Sequence, residues 1–162
     1  MSAAVLDSIL RIVVAMLAGI ALGLNRDLRG KPTGVRTLGL VAMSSALITV
    51  ATLNYMRSNG GMFDNHPDAL SRVVQGVLTG IGFIGAGVIL RGGDKVRTRG
   101  LTTAASVWTT AIVGIVCGFG DWILVAVSVV LMLVLLIFGG AFERFVRVSI
   151  AHQTRDTPPA PP

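Results

Sequence analysis

Four stretches of the chain contain no Asp, Glu, Lys or Arg: residues 37–56, 73–90, 100–120 and 122–142, which are 20, 18, 21 and 21 residues long. Each is long enough to cross a hydrocarbon core of about 30 Å as a helix. A fifth apolar stretch, residues 5–24, reaches that length only by including Asp7, Ser8 and Arg11. Asp7 and Arg11 are four residues apart and share one helix face, so they can pair near the membrane surface while the arginine stem snorkels. Positive charge is missing ahead of this stretch and dense after it, the reverse of a cleavable signal, so a retained span is expected. The pattern predicts an all-α membrane protein, a bundle of five transmembrane helices within residues 1–142. A short cytoplasmic tail, residues 143–162, ends in a Pro-rich run from Thr157 to Pro162 that has nothing to bury and is expected to be disordered.

Composition supports the membrane as solvent. The chain is 52% hydrophobic and 14% charged with a mean hydropathy of +0.75, against roughly 25% charged residues in soluble domains. A net charge of +6 would point to nucleic acid in a soluble protein, but here the basic residues sit in short loops at span ends, where they set topology; no nucleic-acid partner is expected. Eleven of the fourteen Lys and Arg fall in segments 25–36 and 91–99 and in the tail; segment 57–72 holds only Arg57 and Arg72, and segment 118–121 holds none. This places the N-terminus outside and the C-terminus in the cytoplasm. Segment 57–72 reads as irregular chain with a short helix starting at Pro67 or Asp68. Gly118 to Asp121 reads as a tight turn that makes the fourth and fifth spans antiparallel neighbours. Cys117 has no partner cysteine, and His66 and His152 lie outside the apolar runs, so neither a disulfide framework, a zinc site nor an acyl-transfer triad is expected. No enzyme activity and no cofactor are expected.

Two spans carry patterns with functional potential. The third has glycines at 76, 80, 82, 85 and 87; Gly76, Gly80 and Gly87 fall within about 40° on one face, with Gly82 and Gly85 roughly opposite. Gly76 to Gly80 and Gly19 to Gly23 are GxxxG pairs that let helix backbones approach, within the chain or in a homo-oligomer. The competing reading is an ion path lined by glycine backbone. In the fourth span Thr102, Thr103, Ser106, Thr109 and Thr110 share an arc of about 120°, while Trp108, Ala111, Ile112 and Ile115 occupy the other side. Such a hydroxyl face lines a hydrated cavity or bonds to helix backbone and neighbours. The loops NRDLRGKPTGVR (25–36) and RGGDKVRTR (91–99) form a joint cationic rim for anionic lipid headgroups or an acidic or phosphate-bearing partner. The last four spans contain no acidic residue, which argues against a carboxylate cage for a dehydrated divalent ion.

Three blocks, GLNRDLRGKPTGVRTLGLVA (23–42), GIGFIGAGVILR (80–91) and VRTRGLTTAASVW (96–108), closely resemble signatures of the MgtC/SapB family of bacterial membrane proteins. The resemblance covers residues 5–142 and implies a multi-pass protein of the bacterial inner membrane. It also implies a role in magnesium or ion homeostasis and stress adaptation, by modulation of another membrane complex such as the proton-translocating ATP synthase. The alternative it leaves open is a transporter or channel for Mg²⁺. Longer relatives carry a soluble domain after the fifth span, which is not expected in a chain of this length, and Asn25 stands where relatives often have Glu. The residues expected to form a polar cytoplasmic vestibule are Asn25, Arg26, Arg29, Lys31, Arg36 and Thr37 in the first block, with Arg97, Thr102, Thr103, Ser106 and Trp108 in the last. Gly19, Gly23, Gly76, Gly80, Gly82, Gly85 and Gly87 are expected to provide close packing.

Overall fold

The computed structural model describes residues 3–58, 68–90 and 100–153, with side chains described through residue 140 apart from residue 90. Five helices follow one another: α1 (Ala3–Asp27), α2 (Val35–Ser58), α3 (Ala69–Leu90), α4 (Leu101–Phe119) and α5 (Trp122–Gln153). No strand occurs among the described residues. All five contain a segment long and apolar enough to span a membrane. The chain is therefore an all-α, multi-pass membrane protein, as the hydropathy pattern predicts.

The core is a three-helix arrangement of α1, α2 and α4. Small residues make it possible. A Cβ added at Gly19 would strike the Leu38 carbonyl, and one at Gly23 would stand 2.6 Å from Val35 Cα. One at Gly114 would meet the Ala42 backbone, and one at Gly118 would lie 2.6 Å from Thr49 Cβ. In lipid, helices gain little from hiding apolar surface from one another, so backbone approach and the many contacts of about 0.1–0.2 kcal/mol that it permits supply the attraction. Around these glycines Ala15, Ala42, Ala46, Val113, Cys117 and Val125 form one buried cluster, and Leu22, Leu38, Val107 and Met132 a second.

The outer helices are attached more loosely. α3 lies mainly on α4, and α5 touches α1 and α4 through Val125 and Met132 while Ile123, Leu131, Leu135 and Phe138 remain exposed to lipid. Gly120, with φ 83°, closes α4 by donating its N–H to Cys117 O at 3.0 Å and Val116 O at 3.2 Å. Asp121 then accepts the Leu124 N–H at 3.1 Å and so caps α5. This is the tight turn expected at 118–121.

Two boundaries differ from the sequence reading. α5 continues to Gln153, eleven residues past the expected end of the fifth span. Polarity after Phe142 ends the membrane segment, but residues 143–153 contain no Gly or Pro to end the helix. The short helix expected at Pro67 or Asp68 is no separate element: Asp68 O accepts the Arg72 N–H at 3.0 Å and leads straight into α3. Pro67 and the Pro-rich end of the tail lie outside the described residues.

Candidate functional site

The last turn of α1 holds Asn25, Arg26 and Asp27. It ends in a two-bond cap in which Lys31 N–H donates to Arg26 O at 3.0 Å and Gly30 N–H to Asp27 O at 3.0 Å. This cap needs a left-handed residue at Gly30, whose φ is 60°, and is followed by Pro32, which cannot prolong a helix. The chain then reverses. Asp27 Oδ2 accepts the Val35 N–H at 2.9 Å at the start of α2, where a carboxylate is favoured by the unpaired amides and the helix dipole. A Cβ at position 34 would run into the Asp27 carboxylate and displace it from the Val35 N–H.

This reversal presents two carbonyls to Arg26. The guanidinium is 3% exposed and donates through Nη2 to Pro32 O at 2.8 Å and through Nε to Thr33 O at 3.1 Å and Pro32 O at 3.2 Å. Thr33 is held at φ 61°, a left-handed conformation that costs a non-glycine residue about 1–3 kcal/mol. The aligned carbonyls offset that strain. From α4, Thr103 Oγ1 accepts Arg26 Nη2 at 2.7 Å and Ser106 Oγ accepts Nη1 at 2.9 Å. Ser106 gives its own proton to Thr102 O at 2.7 Å, which leaves its lone pairs for the arginine. Four of the five guanidinium N–H groups are thus matched, none of them by a carboxylate. Among the described residues the one ion pair is Arg11 with Asp7, at 2.8 Å. Next to Arg26, the Asn25 Oδ1 atom is buried without a hydrogen-bond partner among the described residues.

The opposite end of the bundle carries a second arginine contact. Arg11 Nη1 donates to Gly118 O at 2.9 Å, placing its charge at the C-terminus of α4, the favourable end of that helix dipole. Asn54 Nδ2 donates to Ser8 Oγ at 3.2 Å beside it.

The expected vestibule is therefore only partly assembled, and it is filled. Arg26, Thr103 and Ser106 come together, with Asn25 alongside, but burial of 3–5% exposure for Arg26, Thr103 and Ser106 leaves no open polar chamber around the guanidinium. Thr102 and Trp108 are exposed on α4 and stand outside this cluster, whereas Ala111 and Ile115, on the side opposite the hydroxyls, are buried against neighbouring helices. Arg29, Lys31, Arg36 and Thr37 are exposed at the same end, with Arg29 Nη2 3.3 Å from Ile137 O. Arg97 lies outside the described residues.

The glycine expectation also divides. Gly19 and Gly23 pack as expected, and Gly85 makes ordinary contact with Ala104 at 3.5 Å. At Gly76, Gly80, Gly82 and Gly87 no described atom lies within 4 Å of an added Cβ. Sequence reasoning missed Gly114 and Gly118, although their spacing is another GxxxG, and it missed Asp27 and the Pro32 and Thr33 carbonyls.

Residues 12–145 match the model of the MgtC family. The chain belongs to the MgtC family. It is 41% identical over 150 residues to the protein SrpB of Synechococcus elongatus, covering 89% of this chain and 79% of that one. It is 38% identical over 114 residues to the protein MgtC of Salmonella typhimurium and, to the same extent, to the protein SapB of Bacillus subtilis. Those matches cover 70% of this chain but 44% and 48% of the two relatives, so the chain spans under half of their length. No solved structure matches it. Of the three blocks that carry the MgtC/SapB resemblance, the first and last converge on the arginine cluster through Arg26, Asp27, Thr103 and Ser106, while the middle block lies on α3.

Proposed function

We propose that this MgtC-family chain acts without catalysis in magnesium or ion homeostasis and stress adaptation, by modulating another complex of the bacterial inner membrane. The proton-translocating ATP synthase is the partner that the family resemblance favours. The observation that carries this reading is the burial of three of the five hydroxyls on the α4 face. Thr103, Ser106 and Thr110 are 5%, 3% and 0% exposed, and the hydroxyls of Thr103 and Ser106 are already taken by the cation of Arg26. A fixed positive charge about 4 Å from Mg²⁺ opposes it by about 8 kcal/mol at an effective dielectric of 20. Thr110 Oγ1 also spends its proton on Ser106 O, at 2.7 Å.

Among the described residues, the basic side chains of Arg29, Lys31 and Arg36 are exposed at that end. With the Lys and Arg count placing this end in the cytoplasm, the rim faces an acidic surface of a partner or the headgroups of anionic lipid. Cysteine introduced at Thr98 should then label only after permeabilisation and cysteine at Asn59 from the periplasm. The reading is tested by replacing Arg29, Arg36 and Arg97 with Gln and measuring co-purification with the ATP synthase as ionic strength is varied. Association should weaken, and by more at low salt, where attraction is unscreened. Association that is unchanged by the three replacements at every salt concentration would overturn the role of the rim.

A further inference from the structure

α3 stands outside the three-helix core, and one face of it meets no described residue. At 100° per residue Gly76, Thr79, Gly80, Phe83 and Gly87 lie within about 100°, with Gln75 about 40° further round. Added Cβ atoms at Gly76, Gly80 and Gly87 would meet no described atom within 4 Å, and Phe83 is 83% exposed. Gln75 is exposed, and its side-chain amide has no hydrogen-bond partner among the described residues. α3 has 22 residues, about 33 Å of helix, which puts Gln75 about 7 Å from its midpoint and well inside the hydrocarbon. Lipid tails cannot satisfy an amide with two N–H donors and a carbonyl at that depth.

Beside this face a groove of about 330 Å³ separates α3 from α2 and is lined by Leu40, Val41, Val77, Ile81 and Ile84, with Gly76 and Gly80 at its edge. Its wall includes Ser45, which is 4% exposed and whose hydroxyl likewise has no partner among the described residues.

We propose that this face of α3 docks on the same face of a second copy, giving a two-fold dimer in which Gln75 pairs with Gln75 across the axis. Every copy has the same orientation in the bilayer, so the two-fold axis lies along the membrane normal and the two α3 helices run parallel. Equivalent residues then meet at equal depth. An amide is both donor and acceptor and is its own complement there, whereas an unrelated partner needs a matching polar group at that one level. Shape agrees with the pairing of the amides. Phe83 provides a knob, and Gly80 and Gly87, three residues before and four after it, provide the hole that receives Phe83 of the other copy, with the groove beside them giving the ring room. Arg72, a turn nearer the helix end and about 11 Å from the midpoint, reaches the interface with water by snorkelling. This inference is independent of the proposed role as a modulator.

The test uses the full chain in native membranes and in liposomes. In a Cys117→Ala background, Thr79→Cys should form an oxidative crosslink between two copies, while Ile123→Cys on the lipid face of α5 should not. In liposomes of phosphatidylethanolamine and phosphatidylglycerol, dimer fraction followed against protein-to-lipid ratio should give a dissociation constant that rises about three- to thirtyfold for Gln75→Leu, the range for one interhelical hydrogen bond. Gly80→Leu should raise it further and leave the melting of the monomer unchanged, because nothing in the chain occupies that space. A wild-type protein that stays monomeric at all ratios would overturn the proposal. So would a dimer indifferent to both Gln75→Leu and Gly80→Leu, or a Thr79→Cys crosslink to a different protein.

Discussion

Arg11 and Arg26 stand fifteen residues apart on α1 and reach two groups fifteen residues apart on α4, the Gly118 carbonyl at 2.9 Å and the Thr103 hydroxyl at 2.7 Å. The spacing corresponds to about 22 Å of helix. Because α1 and α4 run antiparallel, equal spacing lets both contacts form in one register only. A slip of one turn would break both, leaving Arg11 with Asp7 alone and Arg26 with the carbonyls of Pro32 and Thr33 alone. The two arginines meet different fields. Arg11 lies at the C-terminus of α4, where the dipole favours it, whereas Arg26 lies at the N-terminal end, where it does not. Arg26 is accordingly held by hydroxyls of α4 and by carbonyls of the 32–33 loop, with help from its own place in the last turn of α1.

Replacing Arg26 with Lys should keep the charge and lose the planar fork. An ammonium cannot reach Thr103, Ser106, Pro32 and Thr33 together, so the folded state should lose about 2–4 kcal/mol, one or two charge-assisted hydrogen bonds. Thermal melting in detergent reads this directly. Lys31→Leu, at an exposed position of the same loop, should shift melting little; equal effects of the two substitutions would show that the buried network does not organise the loop.

Glycine substitutions should separate into two classes. Gly114→Leu and Gly118→Leu drive a side chain into the α2 backbone at Ala42 and into Thr49, and should lower stability by several kcal/mol, beyond the usual cost of about 1–3 kcal/mol for overpacking. Gly82→Leu, where an added Cβ meets no described atom, should melt like the wild type. Melting temperatures in the reverse order would contradict the packing of α2 against α4.

Asn25 offers a test of an unmatched polar atom. Leaving a buried acceptor unpaired costs about 1–3 kcal/mol, so Asn25→Leu should be neutral or stabilising in detergent while Asn25→Asp, which adds an acceptor charge, should not. A marked loss of stability in Asn25→Leu would mean that the amide is satisfied in the working protein.

Several of these relationships were visible in the residues and several were not, for physical reasons. The Asp7–Arg11 pair is local, four residues on one helix face, and helical periodicity alone predicts it. The arc of Thr103, Ser106 and Thr110 was equally legible. What fills it was not, because Arg26 lies 77 and 80 residues from Thr103 and Ser106, and periodicity carries no information across helices. The same limit separates the glycines. Gly76–Gly80 and Gly114–Gly118 have identical spacing, yet among the described residues the second pair meets a neighbour and the first does not, since spacing describes a face and cannot say what stands opposite. At α5, hydropathy marks where the membrane ends and is silent about a helix that continues into water.

The claim that this protein modulates rather than conducts is tested most directly by ion flux in liposomes, where no partner is present. Purified protein reconstituted with Mg²⁺ and H⁺ indicators should show no saturable flux above protein-free vesicles. Thr103→Val and Ser106→Ala, on the buried hydroxyl face, should leave that baseline unchanged. A saturable Mg²⁺ flux in the wild type that is abolished by Thr103→Val would contradict the account and identify the α4 hydroxyl face as a conduction path.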